Sequence, residues 1–254
     1  MSLTESLKAV LPPATRRWLR ARRLPAQRLL QRLGLARSLV HRVAPINPAD
    51  FGESRGQCID RYYIENFLLA HAGDVQGRVL EFGDDTYTRR FGGSRVTKVD
   101  VLHLTADNPH ATIVADLEDG ENIPSDTFDC IICTQVLHCI FDVGAAIRTL
   151  YRVLKPGGVV LVTDAGIQKV DSVDLAHQQE YWRFTSRALR RMFEEIFPRD
   201  QIDVQPSGNV LAAIAFLHGL AVEDLRQKDL DVFDRDFELS IGLRAVKPRT
   251  LSRS

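Results

Sequence analysis

Residues 126–140, DTFDCIICTQVLHCI, and residues 150–164, LYRVLKPGGVVLVTD, decide how the chain folds. Phe128–Thr134 is a short, nearly continuous apolar run, as expected of a strand buried on both faces of a parallel sheet. Residues 143–154 place Val143, Ile147, Leu150, Tyr151 and Leu154 on one stripe of a helix. Lys155-Pro156-Gly157-Gly158 ends that helix, because proline cannot continue it and glycine accepts the turn. Residues 158–164 then form a second apolar strand. A strand, a helix and a strand in succession make a parallel unit with a right-handed crossover. Cys130 and Cys133 form a C-x-x-C pair, but residues three apart on a strand point to opposite faces. A shared metal or a disulfide is therefore not expected, and both read as buried thiols.

The alternation continues in both directions. Upstream, a helix begins at Ile59, with Asp60 near its cap and Ile59, Tyr63 and Phe67 at four-residue spacing, and stops near Gly73. Strands follow at 78–83, 95–102 and 111–117, with a short helix at 86–91 closed by Gly92-Gly93. Downstream, Thr185 or Ser186 caps a helix carrying Leu189, Met192, Phe193 and Ile196. Residues 202–205 make a sixth strand and 210–220 an apolar helix. In 237–246, Phe237, Leu239, Ile241 and Leu243 share one face, the pattern of an antiparallel edge or near-edge strand. The expected fold is α/β: a doubly wound, mostly parallel seven-stranded sheet with an antiparallel last strand.

The 254 residues carry 33 basic and 33 acidic side chains, so no overall charge argues for nucleic acid. The balance is uneven. Up to Val43 the chain has Lys8, Arg16, Arg17, Arg20, Arg22, Arg23, Arg28, Arg32, Arg37 and Arg42 against Glu5 alone. Residues 1–47 read as a basic arm cut by Pro12-Pro13 and Pro25, and 48–250 as the folded domain. The arm is either a solvated extension or, through residues 1–43, a contact with an anionic membrane surface or a partner protein. No apolar run is long enough to span a membrane, and no compact apolar core of a secretory signal is present, so the cytoplasm is the expected location.

In a doubly wound sheet, ligands bind beyond the carboxyl ends of the strands, at the switch point. The first strand ends in Glu81, Phe82, Gly83, Asp84 and Asp85. Gly83 permits a sharp turn and close approach, and the amides of the following helix start are suited to a carboxylate. Glu81, Asp84 and Asp85 place negative charge beside them. S-adenosylmethionine, with a sulfonium, an ammonium and a carboxylate, matches both features. Asp100 and Val101 end the second strand, where an acid would meet ribose hydroxyls. Asp116 and Leu117 end the third, where an acid would meet an adenine amino group. Thr134 and Gln135 end the fourth.

These stretches resemble the core of class I S-adenosylmethionine-dependent methyltransferases: RVLEFGDD (78–85), VTKVDVL (96–102), ATIVADL (111–117) and, most specifically, the two segments quoted first. They are close to the small-molecule branch of that family. RGQCIDRYYIENFL (55–68) and YWRFTSRALRRMFEEIF (181–197) resemble a bacterial subset associated with glycosyltransferases and with surface-sugar or natural-product pathways. The resemblance implies S-adenosylmethionine as cofactor, a small or sugar-like acceptor and contact with a glycosyltransferase. The chain departs from the family in its first loop. Gly83 stands alone, Asp85 occupies the place of a second glycine, and the interval from Glu81 to Asp100 is about one helical turn short.

Methyl transfer is chiefly a matter of alignment, and a hydroxyl acceptor gains from a general base. His138, just past the fourth strand, is the candidate base. Asp164, His177, Tyr181 and Arg183 are candidates for the acceptor pocket, with Glu180 beside them. Arg55, Asp60, Arg61 and Tyr62 read as a lid over the cofactor or as a surface helix. His103 and His110 lack a carboxylate at metal-site spacing, so no metal is expected. Two functions follow: methyl transfer to a small or sugar-like acceptor, at oxygen, or an inactive methyltransferase-like docking module. The lost glycines favour the second and the three strand-end acids the first. A nicotinamide dehydrogenase would need G-x-G-x-x-G after the first strand, which this chain lacks.

Overall fold

The computed structural model describes residues 50–171 and 180–249. The expected basic arm and His177 lie outside the described residues. Within them runs a seven-stranded sheet in the order β3-β2-β1-β4-β5-β7-β6. Its strands are β1 (Gly77–Phe82), β2 (Val96–His103), β3 (Ile113–Val114), β4 (Phe128–Thr134), β5 (Leu154–Ala165), β6 (Ile202–Ser207) and β7 (Ser240–Val246). Neighbours from β3 through β5 pair in parallel, and β7 runs antiparallel between β5 and β6. The chain winds outward from β1 toward β3, then restarts at β4 and winds the other way. The switch point therefore lies between β1 and β4.

Helices cover both faces. They are α1 (Ile59–Ala70), α2 (Val143–Val153), α3 (Ser186–Glu194), α4 (Val210–Leu217) and the single turn α5 (Gln227–Leu230). On one face Leu80, Ile131, Cys133, Val160 and Val162 pack against Ile147 and Leu150 of α2 and Leu189 and Phe193 of α3. On the other, Val79, Cys130, Ile132 and Leu161 pack against Ile64, Phe67 and Leu68 of α1. Cys130 and Cys133 thus enter different core layers, and burial raises both thiols. A Cβ at Gly242 would stand 2.4 Å from the Phe67 ring, so the lack of a side chain there lets α1 lie on β7. Thr185 caps α3 by accepting from the Ala188 amide, and Asp142 caps α2 by accepting from Ala145.

Three local differences from the expected elements shape the site. The turn after β1 is a single wide turn, Thr88–Gly92, rather than a regular helix. β3 is only two residues long. Thr112 Oγ1 takes the Val101 amide before the strand starts, and Asp116 begins a turn after it, its carbonyl accepting from Gly120 and its side chain from Glu118. β2 runs on to His103, past the expected end at residue 102.

Candidate active site

A cleft of about 690 Å³ opens at the carboxyl ends of β1, β2, β3 and β4. Its sheet-edge half is an apolar slot between Phe82, Leu102, Ala115, Leu117 and Val136, with Asp116 and Glu118 at its margin. Gly83, at φ +82°, lines it. Its amide donates to the Leu102 carbonyl (3.1 Å), Asn108 Nδ2 donates to its carbonyl (2.6 Å), and a Cβ there would meet nothing within 4 Å. Thr134 and Gln135 line the next side. Gln135 holds φ +56°, a conformation costing a non-glycine residue roughly 1–3 kcal/mol. Its amide donates to the Thr163 carbonyl (2.8 Å), while its buried Oε1 has no hydrogen-bond partner. Gly83, Asp116, Leu117, Thr134 and Gln135 therefore meet as expected.

The other strand-end residues do not reach the cleft. Asp100 sits within β2, three residues before its end, and is buried. Arg78 Nε binds its carboxylate at 2.6 Å and Lys98 Nζ lies 3.2 Å away. Burial works to raise that carboxyl, but the two cations outweigh it and leave it below its ordinary range. Val101 is buried in the same strand, its amide taken by Thr112 Oγ1. The cleft is reached instead by Leu102, His103 and Leu104, because β2 is longer than its apolar pattern suggests. Glu81 is buried and turns back along its own loop, accepting from the Tyr87 and Thr88 amides at 3.0 and 2.7 Å. Burial lifts its carboxyl to about 7 against those bonds. Asp84 accepts from the Thr86 amide at 2.8 Å, and Asp85 pairs with Arg89 at 2.6 Å. The first amides of the turn are thus held by the protein's own carboxylates. Asp84 and Asp85 both stay within their own loop, and neither borders the cleft.

At the other end of the cleft, His138 occupies a short turn, Leu137–Cys139, directly after β4. The ring is buried, with Nδ1 2.7 Å from Asp164 Oδ1 and Nε2 3.6 Å from Glu180 Oε1. Burial alone would lower the imidazole. The Asp164 hydrogen bond and the neighbouring Cys139 overcome it and push the ring up to about 10. Asp164 is fully buried behind His138 and also accepts from the Ala165 amide, so it holds the ring and does not face the cleft. Arg183 is likewise removed from the acceptor wall. It donates to the carbonyls of Gln168, Lys169 and Trp182 and to the Glu180 carboxylate, clamping that strand of backbone. Tyr181 lines the cleft as expected, and its amide donates to the His138 carbonyl at 2.7 Å. Phe141 stands exposed beside it, its ring edge-on to Tyr181 and stacked with Trp182.

The remaining wall comes from the segment before β1: Phe51, Glu53, Cys58, Asp60 and Arg61. Of the four expected lid residues, Asp60 and Arg61 border the cleft. Arg55 and Tyr62 are held away from it by Asp224 and Asp231. Phe51, Glu53 and the β2 end carried no signal in the sequence, since their place depends on how the chain packs. Gln168 and Asp171 also border the cleft.

Residues 82–162 match the family model of a methyltransferase domain. A stretch of 69 residues is 41 % identical to the ubiquinone/menaquinone biosynthesis C-methyltransferase of Marinomonas sp., covering 27 % of this chain and 26 % of that protein. Another of 64 residues is 30 % identical to a probable polyketide synthase of Dictyostelium discoideum, covering 25 % of this chain and 3 % of that protein. The chain thus spans about a quarter or less of these relatives. The fold is similar to that of a SAM-dependent methyltransferase from Archaeoglobus fulgidus, at 11 % identity, 74 % coverage of this chain, 94 % of that one and a TM-score of 0.51. The architecture is the Rossmann-like fold of that enzyme, and residues 82–162 are the part of it that resembles a methyltransferase domain.

Proposed function

We propose that the chain transfers a methyl group from S-adenosylmethionine to an oxygen of a small-molecule or sugar-like acceptor. The observation that carries this reading is one continuous cleft at the switch point, with an apolar slot beside Gly83 and Gln135 at one end and His138 with an aromatic rim at the other. The residues suit the cofactor. Apolar side chains such as Phe82, Leu102 and Leu117 suit a flat base, and Asp116 beside them suits its amino group. Gln135 Oε1, buried without a partner, is an acceptor in need of a donor. The carboxylates on the walls, Glu53, Asp60, Asp116, Glu118, Asp171 and Glu180, favour a ligand bearing positive charge. When bound, the cofactor supplies a methyl group on a sulfonium, which leaves as a neutral thioether.

The chain's own residues then have to orient the acceptor and receive its proton. Phe141 and Tyr181 offer a face for the flat side of a ring or sugar. At neutral pH His138 is a cation, so it meets the acceptor oxygen as a hydrogen-bond donor rather than as a base. Glu180, whose Oε1 lies beside Nε2, takes the proton as the new carbon–oxygen bond forms. His138 itself becomes competent as a base only as the pH approaches 10. The charge of residues 1–43 supports a peripheral contact with an anionic membrane surface or a glycosyltransferase partner, which vesicle pelleting at low and high salt would test.

Calorimetric titration with S-adenosylmethionine, followed by transfer of labelled methyl to a panel of hydroxyl compounds, tests the reading. Binding with label in an ether product is the expected result. No heat and no protection at millimolar cofactor would overturn it in favour of the inactive docking module.

A further inference from the structure

We infer that Asp60 and Arg61, at the start of α1, hold the amino-acid end of the cofactor in place of the loop after β1. The inference rests on the proposed use of S-adenosylmethionine and identifies the subsite for its carboxylate and ammonium. It begins with a subtraction. The amides of Thr86, Tyr87 and Thr88, which would otherwise receive a carboxylate, are held by Asp84 and Glu81. A free carboxylate there would have to displace two bound ones at close range. The cleft walls elsewhere are mostly acidic and repel it.

Arg61 supplies the missing cation. It lines the cleft, and its Nη1 donates to the Tyr87 hydroxyl at 3.3 Å, which brings the guanidinium onto the turn that follows Gly83. That is the only hydrogen bond its guanidinium donates among the described residues, so most of its fork is available to a carboxylate. The other basic side chains that line the cleft among the described residues are committed: His138 to Asp164, and the His103 ring to the loop at Thr105 and Asp107. Asp60 lies beside Arg61, buried, with Oδ1 accepting from the Arg61 amide at 2.7 Å; burial raises its carboxyl, and the Arg61 charge works against that. Adjacent negative and positive groups, both bordering the cleft, match the α-ammonium and α-carboxylate of a zwitterion. The placement also explains how a first loop with one glycine is compatible with binding: α1 takes over the contact that a glycine-rich loop would make through its backbone.

The test uses two ligands on the full chain. S-adenosylhomocysteine keeps the amino-acid end, and 5′-methylthioadenosine lacks it. In Arg61→Ala the affinity for S-adenosylhomocysteine should fall roughly ten- to a hundredfold, while that for methylthioadenosine changes less than about threefold. Arg61→Lys should recover part of the loss, and Asp60→Asn should weaken S-adenosylhomocysteine selectively. Equal losses for the two ligands in Arg61→Ala, or unchanged affinity for S-adenosylhomocysteine, overturn the assignment. Should Arg61→Ala fail to fold, the lysine and Asp60→Asn variants decide by the same selectivity. A wild-type chain that binds neither ligand refutes the methyltransferase reading itself, a result distinct from loss of selectivity.

Discussion

Replacing Asp164 with asparagine isolates the charge that keeps His138 a cation. Asparagine preserves the side-chain shape and an oxygen for the Ala165 amide, so the local backbone has no reason to move. What disappears is the anion 2.7 Å from Nδ1 in a site where both side chains are at most 5 % exposed. The interval from the ordinary 6.5 to about 10 corresponds to on the order of 5 kcal/mol favouring the protonated ring in the fold. Because the folded value lies above the unfolded one, that stability is fully present below pH 6.5 and is lost as the pH rises through about 10. In Asp164→Asn that charge is gone while burial still opposes protonation, so the ring's midpoint should fall well below 10. Global stability at neutral pH should fall by roughly 3–5 kcal/mol, the range for breaking one side of a buried ion pair. Long-range proton–nitrogen correlation spectra of the imidazoles, assigned with His138→Gln, report each midpoint directly. A wild-type His138 that titrates near 6.5, or a midpoint that does not move in the variant, refutes the reasoning and returns His138 to the role of neutral base.

Three further outcomes are expected. Asp100→Ala should leave cofactor affinity unchanged while lowering stability by roughly 1–3 kcal/mol, as Arg78 loses its buried partner; a tenfold weaker affinity with unchanged stability by urea denaturation would restore the ribose role. Gly83→Ala should cost about 1–2 kcal/mol for a side chain at φ +82° and should weaken S-adenosylhomocysteine, since the added methyl has open space in the protein but stands at the cleft wall; calorimetry showing wild-type affinity would contradict this. Glu81 has a folded value of about 7 against an ordinary 4.5, so its contribution, on the order of 3 kcal/mol, is present below pH 4.5 and lost as the pH rises through 7; Glu81→Gln should flatten stability across that window, and an unchanged slope in chemical denaturation would count against it.

The fold was legible because its main signals are periodic and redundant. β4 coincides with its apolar run from Phe128 to Thr134, and the opposite placement of Cys130 and Cys133 follows from two-residue periodicity alone. The stripe on α2 and the cap at Thr185 are equally local in origin. Where the pattern thinned, the boundaries moved. β3 has one strand neighbour and an exposed face at Val114, so Thr112 and Asp116 could satisfy the backbone by side-chain bonds instead of pairing. The end of β2 shifted for a related reason: His103 does not read as a strand residue, yet its backbone pairs with Val114.

The site was less legible, and the failures share a cause. Asp84, Asp85, Glu81 and Asp100 each had two possible kinds of partner, a ligand or a group already in the chain, and spacing does not distinguish them. Local bonds win where they require little loop closure: Asp84 reaches an amide two residues on, Asp85 an arginine four residues on, and Glu81 amides six and seven residues on. Once those acids are satisfied at home, the charge a cationic ligand needs must come from residues that the sheet gathers from afar. Glu180 and Asp60 are such residues, separated along the chain yet bordering the same cleft. Asp116, Leu117 and Thr134 border the cleft at their strand ends, and at Gly83 and Gln135 the backbone itself is unusual, Gln135 holding a left-handed conformation with a buried oxygen unpaired. For a doubly wound sheet, strain at a strand end is therefore better evidence of a ligand site than the charge of the residue found there, because a charged side chain can be neutralised within its own loop and a strained backbone cannot.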